Sequence, residues 1–235
     1  MNKKDSLGDR MKSYYEQITK TFLPRRTYTI IRVDGKAFHT YTKGLKKPFD
    51  EQLVDDMDVT AMYMCEHIQG AKFAFVQSDE ISILLTDFDA LQTDAWFNGN
   101  IQKMVSVSAS LATAKFNDLR PNKIALFDSR VFTIPSYIEV ENYFIWRQQD
   151  TTRNSISSVA QWLYSPFDLH LKTTNMMQDM CMEKSINWND YDEKLKRGRL
   201  IIKEQCDNKK TKWVSVAPPI FTQDREIFNT LIPEN

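Results

Sequence analysis

The chain has 235 residues, enough for one large domain or for a core domain with an appended lobe. A hydrophobic content of 42% excludes general disorder, and no apolar run approaches the length of a membrane span. Basic and acidic residues balance at 31 each, so a polyanionic partner would have to be met by a local patch and not by bulk charge.

The three cysteines, Cys65, Cys181 and Cys206, are widely spaced, and the three histidines are His39, His67 and His170. Neither a disulfide framework nor a zinc site is indicated. No apolar secretory core follows the N-terminal lysines, which gives a cytoplasmic expectation. Candidate basic patches are Arg25-Arg26, the Lys43, Lys46 and Lys47 group, and the run from Lys194 to Arg199.

In chain order, Leu7, Met11, Tyr14, Tyr15 and Ile18 predict an amphipathic helix over 7–21, ended by Pro24. Residues 28–33 are β-branched and apolar, as in a buried strand. A helix follows over 50–69, stopped by Gly70. Strands at 72–77 and 80–86 are joined so tightly at Ser78-Asp79 that they read as a hairpin. A second helix is expected over 93–117 and a fourth strand over 123–133, closed by Pro135.

This βαββαβ order predicts an α+β fold, a ferredoxin-like polymerase palm with an antiparallel sheet and helices on one face. Helices are expected at 138–149, 154–163 and 173–184, with a hairpin within 188–216. The expected division is a palm-like catalytic domain over 1–135 and a mainly helical C-terminal lobe over 136–235 that completes the catalytic unit.

Chemistry concentrates at two acidic turns on strand ends, Asp34-Gly35 and Ser78-Asp79-Glu80. Asp-Gly is a common turn dipeptide, and on its own a structural turn is the better reading. Two successive acids at a hairpin tip are more specific, because neighbouring carboxylates repel unless a cation joins them. In the palm order both turns approach one another, and two carboxylates on rigid strand ends can clamp Mg²⁺ for phosphoryl or nucleotidyl transfer. Lys36, His39, Lys47 and Ser78 are placed to hold triphosphate oxygens. No Walker or Rossmann glycine signature occurs.

The segments Arg32-Val33-Asp34-Gly35-Lys36-Ala37-Phe38-His39, Lys47-Pro48-Phe49-Asp50 and Gln77-Ser78-Asp79-Glu80 together resemble the tRNA-histidine guanylyltransferase superfamily. Lys103, Phe127-Asp128-Ser129-Arg130-Val131-Phe132 and Trp146-Arg147-Gln148-Gln149-Asp150 extend the resemblance. It implies two Mg²⁺ ions held by Asp34, the Gly35 carbonyl and Asp79, with Asp34, Asp79 and Glu80 as the catalytic set. Lys36, Ala37, Phe38, His39, Lys47, Asp50, Ser78 and Lys103 become the nucleotide-binding set for ATP and GTP or another nucleoside triphosphate. Arg32, Arg130, Arg147, Arg153 and Asn154 become candidate tRNA contacts.

The chain departs from guanylyltransferases at Thr152-Arg153-Asn154-Ser155, where they carry a histidine-led segment. That form resembles the bacterial and phage "like protein" branch. It implies template-directed 3′–5′ addition to the 5′ end of truncated tRNA, after ATP-dependent adenylylation, by a homotetramer with no membrane association. Untemplated guanosine addition to tRNA-His and a palm-fold nucleotidyl cyclase are the alternatives.

Overall fold

A computed structural model describes residues 6–206 and 210–234. The helices are α1 (Leu7–Met11), α2 (Phe38–Tyr41), α3 (Glu51–His67), α4 (Ile101–Leu119), α5 (Tyr137–Leu163), α6 (Thr174–Glu183), α7 (Glu193–Arg197) and α8 (Ile227–Leu231). The strands are β1 (Tyr28–Gly35), β2 (Ala71–Gln77), β3 (Glu80–Leu85), β4 (Phe127–Ile134), β5 (Arg199–Gln205) and β6 (Thr211–Val216). They form one antiparallel sheet in the order β4-β1-β3-β2-β5-β6. The expected hairpin is β5–β6, and its tip at 207–209 lies outside the described residues.

Alternation along β1 explains the layering. Ile31 and Val33 pack with Met57, Ala61, Met64, Ala112 and Phe116 of α3 and α4 on one face. Tyr28 and Ile30 point the other way, into a core with Phe73, Phe75, Leu84 and the Val140, Tyr143 and Phe144 side chains of α5. The palm helices α3 and α4 thus share a face, and the C-terminal region covers the opposite one. Its own hairpin extends the sheet through β2, where Val76 faces Arg199. Asp34 falls on the α5 side by the same alternation.

Four expectations are corrected. The segment over 7–21 is not one helix; α1 is followed by a π-helical turn at Lys12–Glu16, and Leu7, Met11, Tyr14, Tyr15 and Ile18 stay exposed. The second palm helix begins at Ile101, not 93, because Phe97 and Asn98 take left-handed φ of 50° and 52°. Asn100 then caps it, accepting from the Lys103 N–H at 3.0 Å. The fourth strand starts at Phe127, since the Asn117 amide holds both the N–H and the carbonyl of Ala125 and keeps 123–126 out of the ladder.

The two helices expected at 138–149 and 154–163 are one, the 27-residue α5. Thr151 and Thr152 do not break it: their hydroxyls donate back to the Arg147 and Gln148 carbonyls. Among the described residues no helix is long and apolar enough to cross a membrane.

Candidate active site

The β1–β3 register sets Asp34 directly opposite Glu80, so Asp79 at the hairpin tip stands beside it. The tip is tight because Ser78 adopts φ of 47°, as a two-residue hairpin connection requires. Burial pushes the Asp79 carboxyl up to about 6, and the charges of Asp34 and Glu80 add to the rise against a Ser78 hydrogen bond. Two carboxylates held this closely without a cation between them oppose one another.

Asp34, Ser78, Asp79 and Glu80 line a cavity of about 540 Å³. That volume lies within the range of small-molecule sites, which is about 300–1,000 Å³. His39, Lys47, Asp50, Asn154 and Arg199 also line it. Lys47 is exposed and has no ion-pair partner among the described residues. Among the described residues the His39 ring hydrogen-bonds the Thr40 hydroxyl alone, at 3.0 Å.

The loop after β1 is shaped by its neighbours. Ala37 takes φ of 54°, which turns Phe38 inward to stack on Tyr41 at 4.8 Å and to pack against Phe116 and Phe127. Phe38 is therefore core as much as cavity wall, and a Cβ on Gly35 would collide with its ring. Lys36 and Ala37 do not line the cavity; the Lys36 N–H donates to the Leu126 carbonyl at 2.8 Å. Asp50 is the α3 cap, accepting from Leu53 N–H at 2.8 Å and from Arg120 at 3.4 Å.

Behind the acidic tip, α5 meets the sheet through a polar ladder spaced one helical turn apart. Tyr143 bonds the Ser82 hydroxyl at 2.9 Å, Arg147 grips Glu80, and the Gln77 side-chain amide meets the Thr151 hydroxyl. Arg147 is 4% exposed and also donates to Asp150 at 3.0 Å. Arg32 lies 3.8 Å from Glu80 on the other side. Arg147 and most of Arg32 are thus interior groups that fix Glu80. Although burial works against it, Arg153 and Arg147 hold the Asp150 carboxyl below its ordinary value.

Arg153 and Asn154 are exposed on α5, and Arg130 is half-exposed beside Asp34 at 4.0 Å and Asp128 at 3.2 Å. Lys103 is elsewhere. It sits at the start of α4 over the Phe97 ring, one residue before Met104, which packs by Thr29 and Leu85 at the far end of the sheet. The basic run at 194–199 is not a surface patch: Lys196 donates to the Asn189 carbonyl at 2.8 Å, Arg197 pairs with Glu193, and Arg199 pairs with Asp58 at 2.7 Å. Sequence presents Arg199 only within that run; Gly198 before it was the one signal of a constrained backbone.

Asp34, Asp79 and the carbonyl of Gly35 offer hard oxygen ligands of the kind magnesium takes. Among the described residues no cluster of three or more His, Cys, Asp or Glu side chains is arranged as a metal site. An ion here would complete its shell from backbone, water and substrate phosphate, which is the usual habit of magnesium.

A model of the tRNAHis guanylyltransferase family matches residues 8–135. A bacterial tRNA(His) guanylyltransferase-like protein solved with ATP is 47% identical, with a TM-score of 0.90 over 97% of this chain and 100% of that one. A bacterial protein of the same description solved with GTP is 46% identical over the same shares, with a TM-score of 0.86. The tRNA(His) guanylyltransferase of Kluyveromyces lactis is 28% identical over 86% of this chain and 90% of its own length. The fold is therefore that of a nucleotidyltransferase, and the chain belongs to the tRNAHis guanylyltransferase family.

Proposed function

We propose that this enzyme adds nucleotides to the 5′ end of tRNA in the 3′–5′ direction under the direction of the opposite acceptor strand, repairing truncated tRNA. The observation that carries the reading is that Asp34 and Asp79 line one nucleotide-sized cavity together with Lys47, which has no ion-pair partner among the described residues. The ATP and GTP complexes of the similar bacterial proteins support a purine nucleoside triphosphate as occupant.

In this reading the RNA 5′-monophosphate attacks the α-phosphorus of ATP, and pyrophosphate leaves. The 3′-hydroxyl of an incoming nucleoside triphosphate then attacks the RNA 5′-phosphorus, forming a phosphodiester and releasing AMP. Asp34, the Gly35 carbonyl and Asp79 hold the ions. Magnesium, when bound, supplies Lewis-acid activation of the attacking oxygen and neutralises charge on the leaving group. Lys47 and Ser78 bind triphosphate oxygens, and His39 lies within the same wall. Glu80 is a positioning residue, fixed by Arg147 so that Asp79 keeps its place at the tip.

Templating is favoured over untemplated guanosine addition by Thr152-Arg153-Asn154-Ser155, and by the higher identity to the bacterial like proteins than to the fungal guanylyltransferase. Arg130, Arg153 and Asn154 remain the exposed candidates for RNA contact. A homotetramer in the cytoplasm completes the proposal. The exposed Leu7, Met11, Tyr14, Tyr15 and Ile18 support assembly, and sedimentation of the purified enzyme tests it.

The decisive assay offers a 5′-monophosphorylated tRNA lacking its first nucleotide, with matched and mismatched opposite bases. Matched addition should dominate, and Asp34→Ala or Asp79→Ala should abolish it. Equal addition of guanosine opposite every base would replace repair by guanylyltransfer, and a cyclic product without RNA would replace both.

A further inference from the structure

Lys47, which binds triphosphate oxygens in the proposed reaction, sits on a loop whose backbone is pinned on both flanks. On one side the Lys46 N–H donates to Asp50 Oδ2 at 3.2 Å. On the other, Pro48 restricts the chain and the Phe49 ring meets Tyr191 edge-on at 5.3 Å. The whole segment from Lys46 to Asp50 lines the cavity.

Asp50 carries more than a helix cap needs. Capping α3 takes one acceptor oxygen, and Oδ1 supplies it to the Leu53 N–H at 2.8 Å. The same oxygen also takes Arg120 Nη2 at 3.4 Å, while Oδ2 holds the loop. Arg120 in turn donates from Nε to Asp56 Oδ2 at 2.6 Å, on the second turn of α3. One guanidinium therefore bridges the cap of α3 and an acid further along the same helix.

Arg120 does not itself line the cavity. It closes the C-terminus of α4, where a cation suits the helix dipole, and its side chain is 16% exposed. The Asp50 side chain is equally covered, and that of Asp56 is 8% exposed. A charge-assisted bridge this sheltered fixes direction, and the planar fork of a guanidinium is what lets one side chain hold both acids. A lysine ammonium would serve one carboxylate and release the other.

We infer that Arg120 is a positioning residue for Lys47. Through Asp50 it ties the Lys46–Lys47 loop to α4 and sets where the Lys47 ammonium can reach. That role rests on the reading of the cavity as a nucleoside triphosphate site. Arg120 touches no substrate, and its effect on binding passes through Lys47.

Equilibrium titration of the full chain with ATP and with inorganic triphosphate, each with magnesium, tests it. The unaltered chain is compared with Arg120→Lys, Lys47→Ala and the double variant. Arg120→Lys retains a charge beside the buried Asp56 and so keeps the fold, which thermal melting checks. It should weaken both ligands about fivefold, short of the tenfold loss expected when Lys47 itself is removed. In the Lys47→Ala background the same change should do nothing further, since no ammonium is left to position. A merely structural role would cost the same in both backgrounds, and that result would overturn the inference. Binding by Arg120→Lys as tight as that of the unaltered chain would also overturn it. Should Arg120→Lys melt early, titration at a temperature where every variant is folded still decides. Failure of the unaltered chain to bind either ligand would instead overturn the nucleotide reading of the cavity.

Discussion

Arg147 donates to both carboxylate oxygens of Glu80, at 2.8 and 3.0 Å, one residue beyond Asp79 and across the junction of α5 with the sheet. A bidentate pair of this kind fixes direction as well as distance. Removing Arg147 leaves the buried Glu80 with only Arg32, at 3.8 Å and outside hydrogen-bond reach. Arg147→Met should therefore destabilise the fold by about 3 kcal/mol or more. Glu80→Gln combined with Arg147→Met should recover much of that loss. Urea unfolding measures both, and equal stability of the single and double variants would deny the pair its structural role.

Asp79 gives the stability a pH dependence of definite sign. Its carboxyl is raised from 3.8 to about 6 in the fold, so the folded state holds the proton more tightly than the unfolded chain. This contribution is full below about pH 4 and is lost as the pH climbs through 6. Asp79→Asn should stabilise the metal-free protein at pH 7 by on the order of 2 kcal/mol. Magnesium should raise the melting temperature at pH 7.5 more than at pH 5, because protons compete for the same oxygens. A magnesium effect independent of pH would move the ions away from Asp79.

Gly35→Ala sets a methyl group against the Phe38 ring, which is locked by Tyr41, Phe116 and Phe127. Overpacking of this kind costs about 1–3 kcal/mol. The larger consequence should be chemical, since the shifted loop carries the carbonyl beside Asp34. Thermal melting should show a modest drop while tRNA extension falls much further. Parallel loss of both would make Gly35 a packing residue only.

Lys47 and Lys103 make opposite predictions although both belong to the same motif set. Lys47→Ala should leave melting unchanged and weaken ATP binding about tenfold, the loss of one charge-assisted phosphate contact. Lys103→Ala should leave ATP binding to this cavity intact, because α4 places it at the far end of the sheet. Titration with ATP separates the two. A tenfold effect from Lys103 would mean that its nucleotide is held at a second location.

The strands bearing the acidic turns were readable because the mostly apolar segments 28–33, 73–76 and 81–85 leave little choice but a buried sheet. Departures arose where side chains act on the backbone at a distance. Asn117 reaches eight residues forward to hold Ala125 off the ladder, and no local propensity announces it. Thr151 and Thr152 look like helix breakers but serve α5 from within. The amphipathic pattern at 7–18 asks for a surface to pack against, and this single chain offers none.

At the site, charge in the sequence does not say which face it occupies. Arg147 and Arg153 stand six residues apart on one helix, yet the first is sealed against Glu80 and the second is open to solvent. Arg199 was harder still, since its meaning depends on Asp58, 141 residues away.

That distance bears on biogenesis. The segment recognised as the family ends at residue 135, but the edge of β2 is covered only when β5 arrives, and Arg147, the bidentate partner of Glu80, also lies beyond it. During synthesis the acidic tip therefore leaves the ribosome long before its bidentate partner Arg147, beside an unpaired strand edge of the kind that invites aggregation. The nascent chain cannot close the acidic end of its sheet until nearly all of it is made, so fragments ending near 135 should be sticky and inert.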